Sequence, residues 1–350
     1  MQVDKFPFLR LPTDVMKNVL RTMDGDQLIS YSLISRATKQ NVIDLKIKLR
    51  FFIFSISQTH EILLVIHELD RILLTFDENE TVNWNPEENE PLRLDNPGIV
   101  EVKCSEDFRQ GYIESLFLEN RGISVREWIL HLLDIFPHPM ISSLRFSEGC
   151  NRFDISFIRE TVEGLNVIST RFVRLSLDNC YKLMIETNKL TKQIMINSDL
   201  MPVEYLHKIV IQNTEMTSFN SRMLTPEDTI PFRIDDIMAN NSEFILSWRT
   251  VSSDKDLNRF LKLWIKGAKP HLKCLVVGYQ QGVMKDQLII MKGISCRVMG
   301  KDERRERPYP TVLPTAVVAK EGAFVISRKD GVEATVYIPG GKFMEFVVWN

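Results

Sequence analysis

The apolar period changes at residue 51, and that change most constrains what the chain can fold into. Before it, Val15, Met16, Val19, Leu20 and Met23 recur every three to four residues, the stripe of an amphipathic helix. After it come short runs rich in Ile, Val and Phe at 51–57, 61–66 and 72–76. Gln58-Thr59-His60 and Leu69-Asp70-Arg71 separate them. Apolar runs of strand length, punctuated in this way, predict a small antiparallel meander. The chain therefore begins as helices and continues as sheet.

Within the first fifty residues, Leu11-Pro12-Thr13-Asp14 opens the first helix, with Thr13 or Asp14 able to cap free backbone N–H groups. Asp24-Gly25-Asp26 breaks it. Leu28, Ile29 and Leu33 mark a short second helix, and Ser35 can cap a third running through Val42 and Leu45. A segment this small cannot bury its apolar positions by itself. Part of that surface must meet the rest of the chain or a partner.

Further on, 77–90 carries six acids and no base, with Asn and Pro between them, and reads as a solvated loop. An acidic docking patch is the sharper alternative. Ser124 and Glu127 fit a capping box ahead of Trp128, Ile129, Leu132, Leu133, Ile135 and Phe136, and Pro137 stops that helix. A second bounded helix covers 254–266, with Leu257, Phe260, Leu261, Trp264 and Ile265 as its buried stripe and Gly267 and Pro270 closing it.

An imperfect repeat lies between these helices. Leu175-Ser176-Leu177-Asp178-Asn179 and Ile209-Val210-Ile211-Gln212-Asn213 share an apolar-x-apolar-x-Asn form, and Ile194-Met195-Ile196-Asn197 is close to it. With strands at 244–248 and 272–277, the order of strand, Asn-bearing turn, helix and strand is that of leucine-rich repeats, whose units stack because none buries its apolar face alone. A plain α/β layer fold is the alternative. Near the end of the chain, 324–328 and 334–338 flank Asp330-Gly331, a hairpin signal, and 343–349 would add a strand. Ahead of them, Lys301-Asp302-Glu303-Arg304-Arg305-Glu306-Arg307 reads as an exposed loop, or as a basic contact for an anionic partner.

Composition excludes several classes. Of 350 residues, 44% are apolar and 26% charged, so the chain is neither disordered, collagenous nor a disulfide miniprotein. Forty-four bases against forty-six acids leave a net charge of −2, which draws the chain to neither nucleic acid nor membrane. The N-terminus lacks a signal-peptide pattern, and no apolar window is long enough to span a bilayer. Five cysteines stand singly with no metal-ligand spacing, which predicts reduced thiols in a cytoplasmic or nuclear protein. The glycosylation sequons at Asn79 and Asn240 read as chance without a secretory route. No phosphate-cradling loop, nucleophile elbow or HExxH is present, and the six histidines pair with no cysteine at ligand spacing. Catalytic residues, cofactor and metal are all expected to be absent. His131, inside a helical stripe, reads as structural.

Phe8, Leu11 and Pro12, then Val15, Met16, Val19 and Leu20, then Gln27, Leu28, Leu33, Ser35 and Arg36 resemble the F-box. One departure is Thr38, where many F-boxes carry Trp shortly after the basic residue. The stretch 258–267, with Pro270 and Leu272, is similar to the most recognisable part of the type-2 F-box-associated domain of nematode F-box proteins. Trp128 through Phe136 is similar to that domain's opening helix, and 328–331, Ala334-Thr335 and 346–349 to the ends of such chains.

The resemblance implies an α+β chain. An N-terminal helical F-box at 1–48 would be followed by a β-meander and acidic loop at 49–120. An F-box-associated substrate-binding domain would occupy 121–350, an α/β domain with irregular leucine-rich-repeat-like strand–helix units and a C-terminal β-hairpin region. It implies a non-catalytic, substrate-recruiting subunit of an SCF-type ubiquitin ligase, built from Skp-type adaptor, cullin and F-box protein. The adaptor would contact Phe8, Leu11, Pro12, Val15, Val19, Leu20, Leu28 and Leu33. Some of these aliphatics would hold the helices together while others fill adaptor pockets. The C-terminal domain would hold a target protein of unknown identity. The alternative is a repeat-like interaction module acting outside ubiquitination, with the F-box kept as a structural cap.

Overall fold

A computed structural model describes residues 11–66, 70–77, 90–93, 97–105, 114–120, 122–173, 191–197, 213–219, 233–279, 286–308, 316–319 and 321–349, with residues 187, 208 and 211. The chain divides into two compact units. One is Met1–Arg145 with Gly149–Val167, and the other is Phe146–Glu148 with Ile168–Asn350. The acidic run at 78–89 lies outside the described residues.

The first unit opens with helices α1 (Thr13–Arg21), α2 (Gly25–Ser32) and α3 (Arg36–Ile43). The cap expected at Thr13 or Asp14 is not formed. Pro12 occupies the N-cap position with no side-chain cap, and both candidates lie inside the first turn, where Asp14 still meets the positive end of the helix. Asp24-Gly25-Asp26 is more than a break. Asp24 is the N-cap of α2, and its N–H donates to Gln27 Oε1 at 3.3 Å. Ser35 caps α3 reciprocally. Its Oγ accepts from the Thr38 N–H at 3.2 Å, and its own N–H donates to Thr38 Oγ1 at 2.9 Å. That use of the hydroxyl accounts for Thr38, which is 1% exposed.

The apolar runs after residue 50 form β1 (Phe51–Ile56), β2 (His60–Val65) and β3 (Arg71–Asp77), followed by β4 (Ile99–Ser105) and β5 (Glu114–Glu119). Each pairs antiparallel with the next. Alternation puts Phe52, Phe54, Ile62, Leu64, Ile72, Leu74, Val100 and Val102 on one face, each at most 2% exposed. Helix α4 (Val125–Ile135) contributes Trp128, whose ring meets Phe76 edge-on at 6.2 Å. Its capping box forms: the Glu127 N–H donates to Ser124 Oγ at 3.2 Å and the Ser124 N–H to Glu127 Oε2 at 2.8 Å. Strand β6 (Ile141–Phe146) lies beside β1, and helix α5 (Ile155–Val162) follows. Helix α4, similar in sequence to the opening of the C-terminal domain, thus shares a unit with α1–α3.

In the second unit, β7 (Val167–Val173) is followed by β8 (Thr191–Asn197), β9 (Met216–Phe219), β10 (Phe244–Thr250) and β11 (Cys274–Tyr279). From β8 to β11 each strand runs parallel to the next. Helices Ile234–Ala239 and Asp254–Ile265 supply the connections a parallel pair requires. Of the three Asn-bearing runs, Leu175–Asn179 lies outside the described residues and Ile194–Asn197 closes β8. In the third, Ile209, Val210 and Gln212 lie outside them, Ile211 is in a turn, and the strand there starts at Met216. A buried hydroxyl triad ties the starts of β9 and β10 together. Thr217 Oγ1 is 2.6 Å and Thr214 Oγ1 2.8 Å from Ser242 Oγ. Asn240 of the sequon is fully buried and accepts from the Ser242 N–H at 2.7 Å, so no glycan could reach it.

The sheet then turns antiparallel through β12 (Arg297–Val298), β15 (Phe324–Ser327), β16 (Glu333–Tyr337) and β17 (Phe343–Trp349), with β17 against β11. Between them, β13 (Arg305–Pro308) and β14 (Ala316–Ala319) pair as a separate ribbon. One sheet face packs Met216, Phe244, Leu246, Cys274, Val276 and Val347. On the other, Phe346 takes Phe260 and Trp264 edge-on at 5.4 and 5.1 Å.

Strand β10 is irregular between Ser247 and Thr250, and there Gly278 of β11 approaches the Trp248 backbone so closely that a Cβ would collide with it. Gly278→Ala is expected to cost about 1–3 kcal/mol through this overpacking. Chemical denaturation checks it, and an unchanged midpoint would contradict the close approach.

Candidate functional site

Helix α1 has two apolar faces with different fates. Met16 (8% exposed) and Leu20 (0%) point inward with Leu28, Ile29 and Val42. Asn41 fixes the inner side by donating from Nδ2 to Tyr31 Oη at 3.0 Å and to Met16 Sδ at 3.5 Å. The other stripe, Pro12, Val15 and Val19, follows helical spacing and faces water. Val15 is 46% and Val19 37% exposed, on a helix that buries its opposite side. Leu11 and Leu33 are half-buried, and Phe8 lies outside the described residues.

The eight residues singled out from sequence therefore separate. Leu20 and Leu28 are core and offer no surface, while Pro12, Val15 and Val19 are open and Leu11 and Leu33 intermediate. Ile34 was missed. It is 71% exposed in the turn after α2, where no helical period marks it.

What stops α1–α3 from collapsing on their own exposed residues is their backing. Gly25 lets α2 approach the sheet so closely that a Cβ would strike the Ile72 side chain. Cys104 Sγ donates to Asp26 Oδ1 at 3.6 Å, and burial with the Asp26 charge pushes this thiol up to about 12, so it stays protonated. Ser32 Oγ lies 2.8 Å from His131 Nε2, and Lys39 pairs with Asp134 at 2.8 Å, both on α4. Burial, aided by the Lys39 charge, holds His131 down to about 4. Burial, aided by Arg152, holds His60 down to about 3, its ring 4.1 Å from that of Phe153. Both imidazoles are thus neutral packing groups. Among the described residues no cluster of His, Cys, Asp and Glu could hold a metal ion, and no helix is long and apolar enough to cross a membrane.

Comparison with known families places these features. Residues 8–50 match the family described as F-box domain, and residues 205–277 the family described as F-box associated. The chain carries an F-box and an F-box-associated domain. It is 24% identical over 270 residues, 76% of either chain, to a Caenorhabditis elegans protein called F-box associated domain-containing protein sdz-33, consistent with a nematode F-box protein. No solved structure matches.

The F-box match takes in α1–α3 and so contains the Val15–Val19 face. The F-box-associated match contains β9, β10, the Asp254–Ile265 helix and β11 as far as Val277.

The buried histidines give a pH dependence of defined sign. Their folded pKa values lie below the ordinary 6.5, so between pH 6.5 and about 4 the unfolded chain binds protons that the folded chain refuses. Stability is expected to fall as pH drops through that window. The slope should be shallower in His131→Gln, as read by denaturation midpoints at a series of pH values. An equal slope would contradict a neutral His131.

Proposed function

We propose that this protein is the substrate-recruiting subunit of an SCF-type ubiquitin ligase. The F-box binds a Skp-type adaptor, and through it a cullin, with Leu11, Pro12, Val15 and Val19 on the contact and Leu33 and Ile34 at its margin. The region from β7 onward, read as irregular strand–helix units closed by the C-terminal hairpin strands, holds a target protein. Such a subunit requires no catalytic residue. It raises the local concentration of a target lysine near the ubiquitin-charged enzyme. It works where its adaptor is, in cytoplasm or nucleus.

The observation that carries this reading is the exposure of Val15 and Val19 on a helix whose other face is sealed. A fully desolvated apolar centre with a polar rim is what a protein interface needs. Around this face, Asp14, Asn18 and Arg21 are exposed and supply the rim. Thr38 stands where many F-boxes carry Trp, and its hydroxyl here serves the α3 cap.

Val15→Asp with Val19→Asp tests the reading. Both positions are exposed, so the variant should keep the wild-type melting profile while capture by purified adaptor falls at least about tenfold, as for loss of interface anchors. Leu20→Ala is the contrasting change. It should destabilise the fold by about 2–5 kcal/mol as a core truncation. Wild-type adaptor capture by the double variant would overturn the assignment.

A further inference from the structure

The basic run at 301–307 is left unused by the adaptor reading. In the structure its arginines converge. Arg305 and Arg307 stand two apart on β13, on the same side of the strand, about 7 Å from each other along the chain. Their guanidinium carbons both lie 5.9 Å from the Trp349 ring centroid. Trp349 is fixed in turn, donating from Nε1 to Thr335 Oγ1 at 3.0 Å. Two like charges are thus gathered over one indole.

The neighbouring acids balance only part of this charge. Glu333 accepts from Arg305 at 2.7 Å, and Glu303 holds Arg297 through both carboxylate oxygens at 2.9 and 2.7 Å. Arg307 has no carboxylate or carbonyl partner among the described residues, and its side chain remains half-buried on the ring. A guanidinium held in place is preorganised for an acid, because its fork matches a carboxylate and little further side-chain freedom is lost. β13 pairs with β14 on one edge, and among the described residues no strand lies on the other.

We propose that Arg307 and Arg305, over Trp349, bind an acidic extended segment of a partner protein. Acids at alternate positions of such a segment repeat at about the same 7 Å as the two arginines. One carboxylate meets Arg307, and the next shares Arg305 with Glu333. This deepens, and rests on, the reading of the second unit as the part that holds a target. Net charge does not explain such binding, since the whole chain carries −2.

The test uses the full-length chain and two capped, fluorescently labelled peptides, Thr-Glu-Val-Glu-Thr and its glutamine counterpart Thr-Gln-Val-Gln-Thr. Anisotropy is read at about 50 mM salt, where screening is modest. The glutamate peptide should bind at least about tenfold more tightly than the glutamine peptide, the scale expected for charge-assisted hydrogen bonds. Arg307→Gln should erase that difference. Arg304→Gln, altering the exposed residue just before β13 that pairs with Glu306, should preserve it. Equal binding of the two peptides by the wild type, or an undiminished preference in folded Arg307→Gln, would overturn the proposal. The wild-type peptide comparison decides the matter even if Arg307→Gln fails to fold. Adaptor capture by the same wild-type preparation reports separately on the ligase reading, so failure of one is distinguishable from failure of the other.

Discussion

A helix that must bury one face and show the other needs something rigid behind it, and that constraint organises the first unit. Three helices of eight or nine residues cannot form a core by themselves. They borrow one. The sheet provides Ile72 for the close approach at Gly25, and α4 provides His131 and Asp134 for Ser32 and Lys39. With Met16 and Leu20 held inward, Val15 and Val19 have nowhere to go but water.

The polar links in this backing are not its main source of stability. Lys39–Asp134 has 29% and 62% of its side chains exposed, and such pairs contribute roughly 0–1 kcal/mol. Full burial of an aliphatic side chain contributes about 1.5–3 kcal/mol. Leu20, Ile29, Val42 and the sheet face therefore dominate, while Ser32–His131 sets where the helices sit. For function the consequence is preorganisation. A partner meeting Val15 and Val19 need not order the helix first, and ordering costs are what usually erode affinity.

Much of the architecture was legible because its signals are local. The apolar runs of β1 to β3, the Ser124–Glu127 cap and the stripe through Trp264 are each written within a dozen residues. What escaped depends on distant partners. Asp24-Gly25-Asp26 reads as a breaker, and only the nearness of Ile72 shows why a glycine opens α2. Leu20 and Val19 are adjacent in sequence and equally apolar, yet tertiary contacts alone decide that one is core and the other surface. Ile34 carries no period because it sits in a turn. The start of β9 at Met216 depends on pairing to β8 and β10 rather than on the apolar run before it. The gathering of Arg305 and Arg307 requires Trp349, more than forty residues on.

Amide hydrogen exchange of the full chain, with and without a purified Skp-type adaptor, tests the central claim most directly. The account predicts slowed exchange in peptides covering α1 and the turn at Ile34, with the Asp254–Ile265 helix unaffected. Adaptor binding that leaves α1 exchange unchanged and protects residues elsewhere would contradict it.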